Sequence, residues 1–263
     1  MSLSQDGLLG EVLSEGVLTL TLGRAPAHPL SRAMIAALHD ALRRAMGDDH
    51  VHVLVIHGPG RIFCAGHDLK EIGRHRADPD EGRAFVTDLF EACSALMLDL
   101  AHCPKPTIAL VEGIATAAGL QLMAACDLAY ASPAARFCLP GVQNGGFCTT
   151  PAVAVSRVIG RRAVTEMALT GATYDADWAL AAGLINRILP EAALATHVAD
   201  LAGALAARNQ APLRRGLETL NRHLELPLEQ AYALATPVMV EHFMDPGRRH
   251  LDWIDEGHHH HHH

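Results

Sequence analysis

Two stretches of the chain share one form, and that form limits the folds open to it. Val53 to Lys70 and Thr107 to Leu122 each run as an apolar strand, a glycine turn, a set of small residues and then a helical pattern. In the first, Gly58-Pro59-Gly60 leads irregularly to Ala65-Gly66-His67-Asp68. In the second, Glu112-Gly113 leads to Ile114-Ala115-Thr116-Ala117-Ala118-Gly119. Strands that alternate with helices are joined by right-handed crossovers, so they build a largely parallel sheet.

The flanking sequence continues this alternation. Val17 to Leu22 alternates as a strand and breaks at Gly23, Pro26 and Pro29. Ser31 can cap a helix that carries Met34, Leu38, Leu42 and Ala45 at helical spacing, and Gly47-Asp48-Asp49 stops it before a strand over Val51 to His57. Phe85, Leu89, Cys93, Leu96 and Leu100 form one stripe of a long helix, ended by Pro104-Lys105-Pro106. Ile114 to Cys126 is predicted helical, and Leu128-Ala129-Tyr130 resumes extended structure.

Beyond residue 150 helical patterns dominate: Ala152 to Val158, Arg161 to Leu169, Ala176 to Ala182, Glu191 to Ala207, Pro212 to Leu224 and Leu228 to Met244. Leu184 to Ile188 is the one strand-like break. The expected organisation is an α/β core over 4–200 and a helical C-terminal region over 201–255. Glu256-Gly257 and His258 to His263, residues 256–263, read as a linker and purification tag.

At 49% hydrophobic with a mean hydropathy of +0.13, the chain can bury a substantial core. A net charge of −8 argues against a sequence-independent grip on nucleic acid or anionic membrane. No run of about 18 apolar residues appears, and the first 30 residues lack a basic start and apolar stretch, so a cytoplasmic protein is expected. Six cysteines without CxxC spacing read as free thiols. Lysine occurs only at Lys70 and Lys105, and an anionic ligand would need a local basic patch. His50, His52 and His57 are tied to one strand, and His52 and His57 point to opposite faces, so no metal is expected.

Small residues before a helix let a ligand approach the backbone, and free N–H groups there favour developing negative charge. Two such segments facing one carbonyl would make an oxyanion hole. Tight packing alone would also account for the glycines and alanines. Gln121 can bond substrate or water, or satisfy neighbouring backbone groups. Thr149 and Thr150, before Pro151, are suited to capping a helix. Cys148 as a nucleophile would need a neighbouring base or a helix N-terminus.

The motifs also carry a resemblance. Phe63-Cys64-Ala65-Gly66-His67-Asp68-Leu69-Lys70-Glu71 is similar to the F-C-A-G-x-D-L-K-E signature of the enoyl-CoA hydratase/isomerase (crotonase) superfamily. Lys105-Pro106 through Asp127, Ala135-Arg136-Phe137 through Gly145, and Thr170-Gly171 through Asn186 resemble that superfamily's later segments, in order. The resemblance implies an α/β crotonase-like (ClpP/crotonase) spiral of ββα units with a helical C-terminal trimerisation region. It implies an acyl-CoA thioester as partner, bound with coenzyme A bent, and no separate cofactor. A homotrimer or dimer of trimers is the implied assembly.

By position, the resemblance assigns the oxyanion-hole N–H groups to His67 and Ala118. It places the coenzyme's adenine end near Ala65, Asp68 and Leu69, with Lys70 nearby, and the acyl pocket at Asn144 and Cys148. The two glutamates of a family hydratase match Gln121 and Gly141. Glutamine can orient water but exchanges no proton near neutral pH, and glycine does neither. Ordinary hydration is therefore doubtful, and so is the usual isomerisation, whose base also matches Gly141. G-H-D-L-K-E, A-T-A-A-G-x-Q-L and P-G-V…F-C-x-T-P together resemble the subgroup of enoyl-CoA hydratase domain-containing protein 3, whose members lack both glutamates. His67 also sits in a segment similar to S-A-G-H-D of methylmalonyl-CoA decarboxylase, although that enzyme's tyrosine matches Cys148. Decarboxylation and inert acyl-CoA binding by a trimer are the alternatives. The chain has no K-R-x-P-x-F tail, leaving Arg24, Arg248 or Arg249 to meet a coenzyme phosphate.

Overall fold

The structure, a computed structural model, describes residues 2, 3 and 7–249. The chain divides into two compact units after Ala206.

The first unit opens with strands β1 (Ser2–Leu3), β2 (Leu9–Ser14) and β3 (Val17–Leu22), helix α1 (Arg32–Met46), and strands β4 (Val53–Gly58) and β5 (Ile62–Cys64). It continues through α2 (Leu69–Arg74), α3 (Arg83–Ala101), β6 (Thr107–Val111), β7 (Ile114–Thr116), α4 (Ala118–Ala124), β8 (Leu128–Ala131) and β9 (Arg136–Cys138). A 3-10 turn (Pro140–Asn144) precedes α5 (Thr149–Val155) and α6 (Arg161–Thr170). β10 (Thr173–Asp175), α7 (Ala176–Ala182), β11 (Arg187–Ile188) and α8 (Glu191–Ala206) complete the unit.

Each repeat gives one strand to each of two sheets. The larger sheet has the order β1-β2-β3-β4-β6-β8-β11 and the smaller β10-β9-β7-β5. Thus β4 and β5, β6 and β7, and β8 and β9 are successive ββ pairs, each followed by helix, which is the spiral of ββα units that the resemblance implies. β3 through β11 pair in parallel in the larger sheet, and β5, β7 and β9 pair in parallel in the smaller.

Burial on both faces explains the continuous apolar strands. Along β4, Leu54 and Ile56 enter the main core while Val53 and Val55 join Leu194, Val198 and Ala202 of α8 on the opposite face. Alternate side chains point to opposite sides of a strand, so a parallel strand covered on both faces must be apolar throughout. Helix α1 is capped by the Ser31 hydroxyl, which accepts from the Met34 N–H at 3.1 Å, and it buries Met34, Leu38, Leu42 and Ala45. Lys105 closes the other end of α1. Its buried ammonium donates to the Ala45 and Asp48 carbonyls at 2.7 and 2.8 Å, where a cation also favours the helix C-terminus. It is therefore a structural residue and does not supply the basic patch sought for an anionic ligand.

Three expectations change. Ile114 to Cys126 is not one helix: Ile114–Thr116 pairs as β7, and the helix begins only after Ala117. Thr149 and Thr150 lie within α5, with Cys148 in the cap position and no side-chain cap bond, so neither threonine caps it. The break placed at residue 200 falls inside α8, which stays with the first unit because Ala202 belongs to the second core cluster.

The second unit contains α9 (Gln210–His223), α10 (Leu228–Met244) and α11 (Pro246–Arg249). Thr219 and Val238 are buried in it, and Pro237 lies inside α10. The side chains of Arg248 and Arg249 and the tag lie outside the described residues.

Candidate active site

The small sheet fixes the site. β5, β7 and β9 lie side by side in parallel, with Cys64 opposite Ala115 and Thr116 opposite Cys138. Their carboxyl ends therefore release Ala65-Gly66-His67, Ala117-Ala118 and Leu139-Pro140-Gly141 along one edge. Ligands of parallel α/β sheets commonly bind beyond the carboxyl ends of the strands.

The first two segments pack backbone to backbone. A β-carbon at Gly119 would overlap the Cys64 carbonyl group, and one at Gly66 would stand 3.1 Å from the Ala117 Cβ and 3.3 Å from the Ala118 nitrogen. Gly66 has φ +90°, so its lack of a side chain serves both the turn and the approach. Ala117 has φ +53° and ψ −127°, a conformation that L-residues adopt at a cost of roughly 1–3 kcal/mol and one often found at functional sites. Its N–H is held by the Cys138 carbonyl at 3.1 Å. The turn it makes leaves Ala118 as the first residue of α4, whose N–H has no acceptor within the helix.

His67 is fixed from the other side. Leu30 bridges to it in parallel, but the bond runs from the Leu30 N–H to the Gly66 carbonyl at 2.7 Å, so the bridge is not made by the His67 N–H. The His67 ring reaches back to the Leu30 carbonyl, with Nδ1 at 3.2 Å, and meets the Phe90 ring edge-on at 4.7 Å and 69°. Burial pushes the imidazole below the usual histidine value, opposed by the Leu30 carbonyl and by Glu71.

The loop between β5 and α2 is braced at its base. The Ala65 N–H donates to Ala27 at 2.9 Å. The Asp68 carboxylate caps α2 by accepting from the N–H groups of Lys70 and Glu71, both at 3.1 Å. Leu69 and Lys70 are exposed beside it. Arg24, one of the cations considered for a phosphate, donates to the Gly7 carbonyl at 2.9 Å.

Gln121 lies one turn into α4 and is 4% exposed, and its Oε1 is buried without a partner. At Gly141 a β-carbon would stand 2.6 Å from the Cys148 nitrogen and 2.9 Å from the Phe147 Cα, so the loop as built has no room for any side chain there. The Gly141 N–H donates to Cys148 Sγ at 3.2 Å. Cys148 is buried, and burial holds its thiol above the usual value, which removes the activation that a nucleophile requires. Asn144 is exposed on the 3-10 turn. His57 forms a surface pair with Glu112 at 2.9 Å, and no group of three or more metal-binding side chains occurs among the described residues.

Sequence reading singled out these backbone segments as candidates but missed the surroundings of the His67 ring. Leu30 and Phe90 lie far from it in sequence, and no local pattern links them.

A spiral of ββα units with two glycine-assisted backbone segments meeting at the ends of β5 and β7 defines a class. Residues 13–252 match the enoyl-CoA hydratase/isomerase family, and the chain belongs to that family. The rat mitochondrial enoyl-CoA hydratase domain-containing protein 3 is 39% identical over 214 residues, covering 81% of this chain and 69% of that protein. An enoyl-CoA hydratase/isomerase family protein from Silicibacter pomeroyi has a crystal structure that matches with a TM-score of 0.87 and 96% identity, covering 91% of this chain and 100% of that one. The chain is also 32% identical over 210 residues to 4-chlorobenzoyl coenzyme A dehalogenase-2 of Arthrobacter, covering 79% and 75% of the two chains.

Proposed function

We propose that this family member binds an acyl-CoA thioester with its carbonyl oxygen between the N–H groups of His67 and Ala118 and stabilises the enolate that forms there. The observation that supports the reading is the close packing of Gly66 against Ala117 and the Ala118 nitrogen, which sets the two donor segments side by side. Each well-placed donor of such a hole contributes about 3–4 kcal/mol to the transition state. Ala65, Leu69 and Lys70 would meet the adenine end of the coenzyme, while the Asp68 carboxylate shapes the loop through its cap on α2. The acyl group would run toward Cys148, with Asn144 at the rim.

Ordinary hydration is not the reaction we assign. Gln121 carries no titratable proton near neutral pH, and Gly141 has no space for a carboxylate. A second reading, decarboxylation of a methylmalonyl-type thioester, draws on the same facts: neighbouring negative charge would oppose both binding of the substrate carboxylate and growth of the enolate charge, and neither position supplies any. A catalytically inert acyl-CoA-binding trimer is the third. Exposed Leu224, Leu228, Tyr232, Val240 and Phe243 give the second unit an apolar surface suited to assembly.

The test is incubation with crotonyl-, methylmalonyl- and aromatic enoyl-CoA followed by mass spectrometry, with calorimetry for binding. We expect binding, with crotonyl-CoA hydration far below about 10 per second. Ordinary hydratase turnover would show that other residues supply the acid and base, and absence of heat with every thioester would end the proposal.

A further inference from the structure

Among the described residues of the first unit, two buried side-chain N or O atoms lack a hydrogen-bond partner: His67 Nε2 and Gln121 Oε1. One belongs to each donor segment. A folded chain rarely leaves such atoms unpaired without a reason. The two differ in kind, because only the imidazole can carry a proton.

The hydrogen bonding of His67 fixes which nitrogen is available. A carbonyl oxygen only accepts, so the 3.2 Å contact with Leu30 requires the proton on Nδ1. In the neutral ring Nε2 then holds the lone pair, and the edge-on Phe90 ring and the Leu30 bond together set the orientation of the plane. Glu71 acts on the ring from α2 and favours the cation. From the α1 and α3 sides, Arg32 and Asp88 pair with each other at 2.7 Å. Burial outweighs Glu71 and keeps the ring neutral at pH 7.

We propose that the imidazole of His67, in addition to its backbone N–H, is the catalytic base of this site, with Nε2 exchanging a proton with the α-carbon of the bound thioester. The proposal rests on the oxyanion-hole reading above. In the forward step the Cα–H bond breaks and its proton bonds to Nε2. The electron pair becomes the carbon–carbon π bond of the enolate, whose charge rests on the oxygen held by the N–H groups of His67 and Ala118. The imidazolium keeps its Nδ1–H on Leu30, its Nε2 proton exchanges with solvent, and delivery of a proton or deuteron from Nε2 to carbon restores the thioester. Gln121, on the other donor segment, is a neutral hydrogen-bonding group and takes no proton.

The experiment follows deuterium uptake at the α-carbon of propionyl-CoA and phenylacetyl-CoA in deuterium oxide, by mass spectrometry of the recovered thioester. Wild type should exchange, and His67→Gln, which keeps the backbone N–H, should still bind both thioesters in calorimetry while exchange falls roughly 100-fold or more. Unchanged exchange in that variant, or wild type that binds without exchanging, would overturn the proposal. Failure of wild type to bind would instead remove the oxyanion-hole reading and the base with it. If His67→Gln does not fold, the wild-type profile decides. Exchange should rise through a pKa below 6.5 and then level, and a rate still climbing tenfold per unit to about pH 9 would refute the imidazole.

Discussion

Replacing Gly141 with glutamate, the residue a two-carboxylate hydratase would carry there, should destabilise this protein without creating a hydratase. The reason begins at the β-carbon. It would stand 2.6 Å from the Cys148 nitrogen and 2.7 Å from the Phe147 carbonyl carbon, where ordinary contact begins at 3.4 Å. Those neighbours are backbone, so no rotamer change relieves the clash. The loop would have to move and give up the Gly141 N–H bond to Cys148 Sγ. Overpacking of this sort costs about 1–3 kcal/mol, and alanine already incurs it. For a domain of this size about 2 kcal/mol corresponds to roughly 4–8 °C in Tm. Scanning calorimetry on Gly141→Ala should show that loss, and Gln121→Glu/Gly141→Glu should be less stable again and no faster on crotonyl-CoA. A Gly141→Ala protein as stable as wild type, or a double variant that hydrates crotonyl-CoA readily, would refute the reasoning.

Further outcomes follow from other contacts. Gly66→Ala combines φ +90° with a methyl 3.3 Å from the Ala118 nitrogen, so turnover of any substrate found should fall by about 100-fold or more, read from kcat/KM. Lys105→Met leaves the Ala45 and Asp48 carbonyls without their buried donor and should cost about 1–3 kcal/mol in urea unfolding. The thiols of Cys64 and Cys93 are pushed up by burial from 9.0 to about 12 and about 11. Between pH 9 and 11 the unfolded chain therefore holds fewer protons than the folded one, and urea stability should decline as pH rises through that window. Cys64→Ala/Cys93→Ala should lessen the decline, the part left belonging to Cys126 and Cys148, which burial also pushes up.

By itself the sequence determined the architecture. Periodicity placed β3, α7 and α10 at their observed bounds, because long amphipathic or alternating runs report which face is buried. The ordered motifs identified the family, and they singled out His67, Ala118 and Gln121 as candidates because these residues lie in short continuous segments. β5, β7 and β9 were not legible as partners, since three-residue strands carry too little pattern to be seen before they pair.

Tertiary structure alone decided what surrounds the site. That Gly141 has no room for a side chain depends on Phe147 and Cys148 folding back over it. That Lys105 closes α1 depends on carbonyls 60 and 57 residues away. The tautomer of His67 is set by the Leu30 carbonyl, 37 residues distant, and its ring plane by Phe90 on α3. Local sequence specifies which groups are present and how the backbone turns. Partners distant along the chain set which atoms stay unpaired once they are buried.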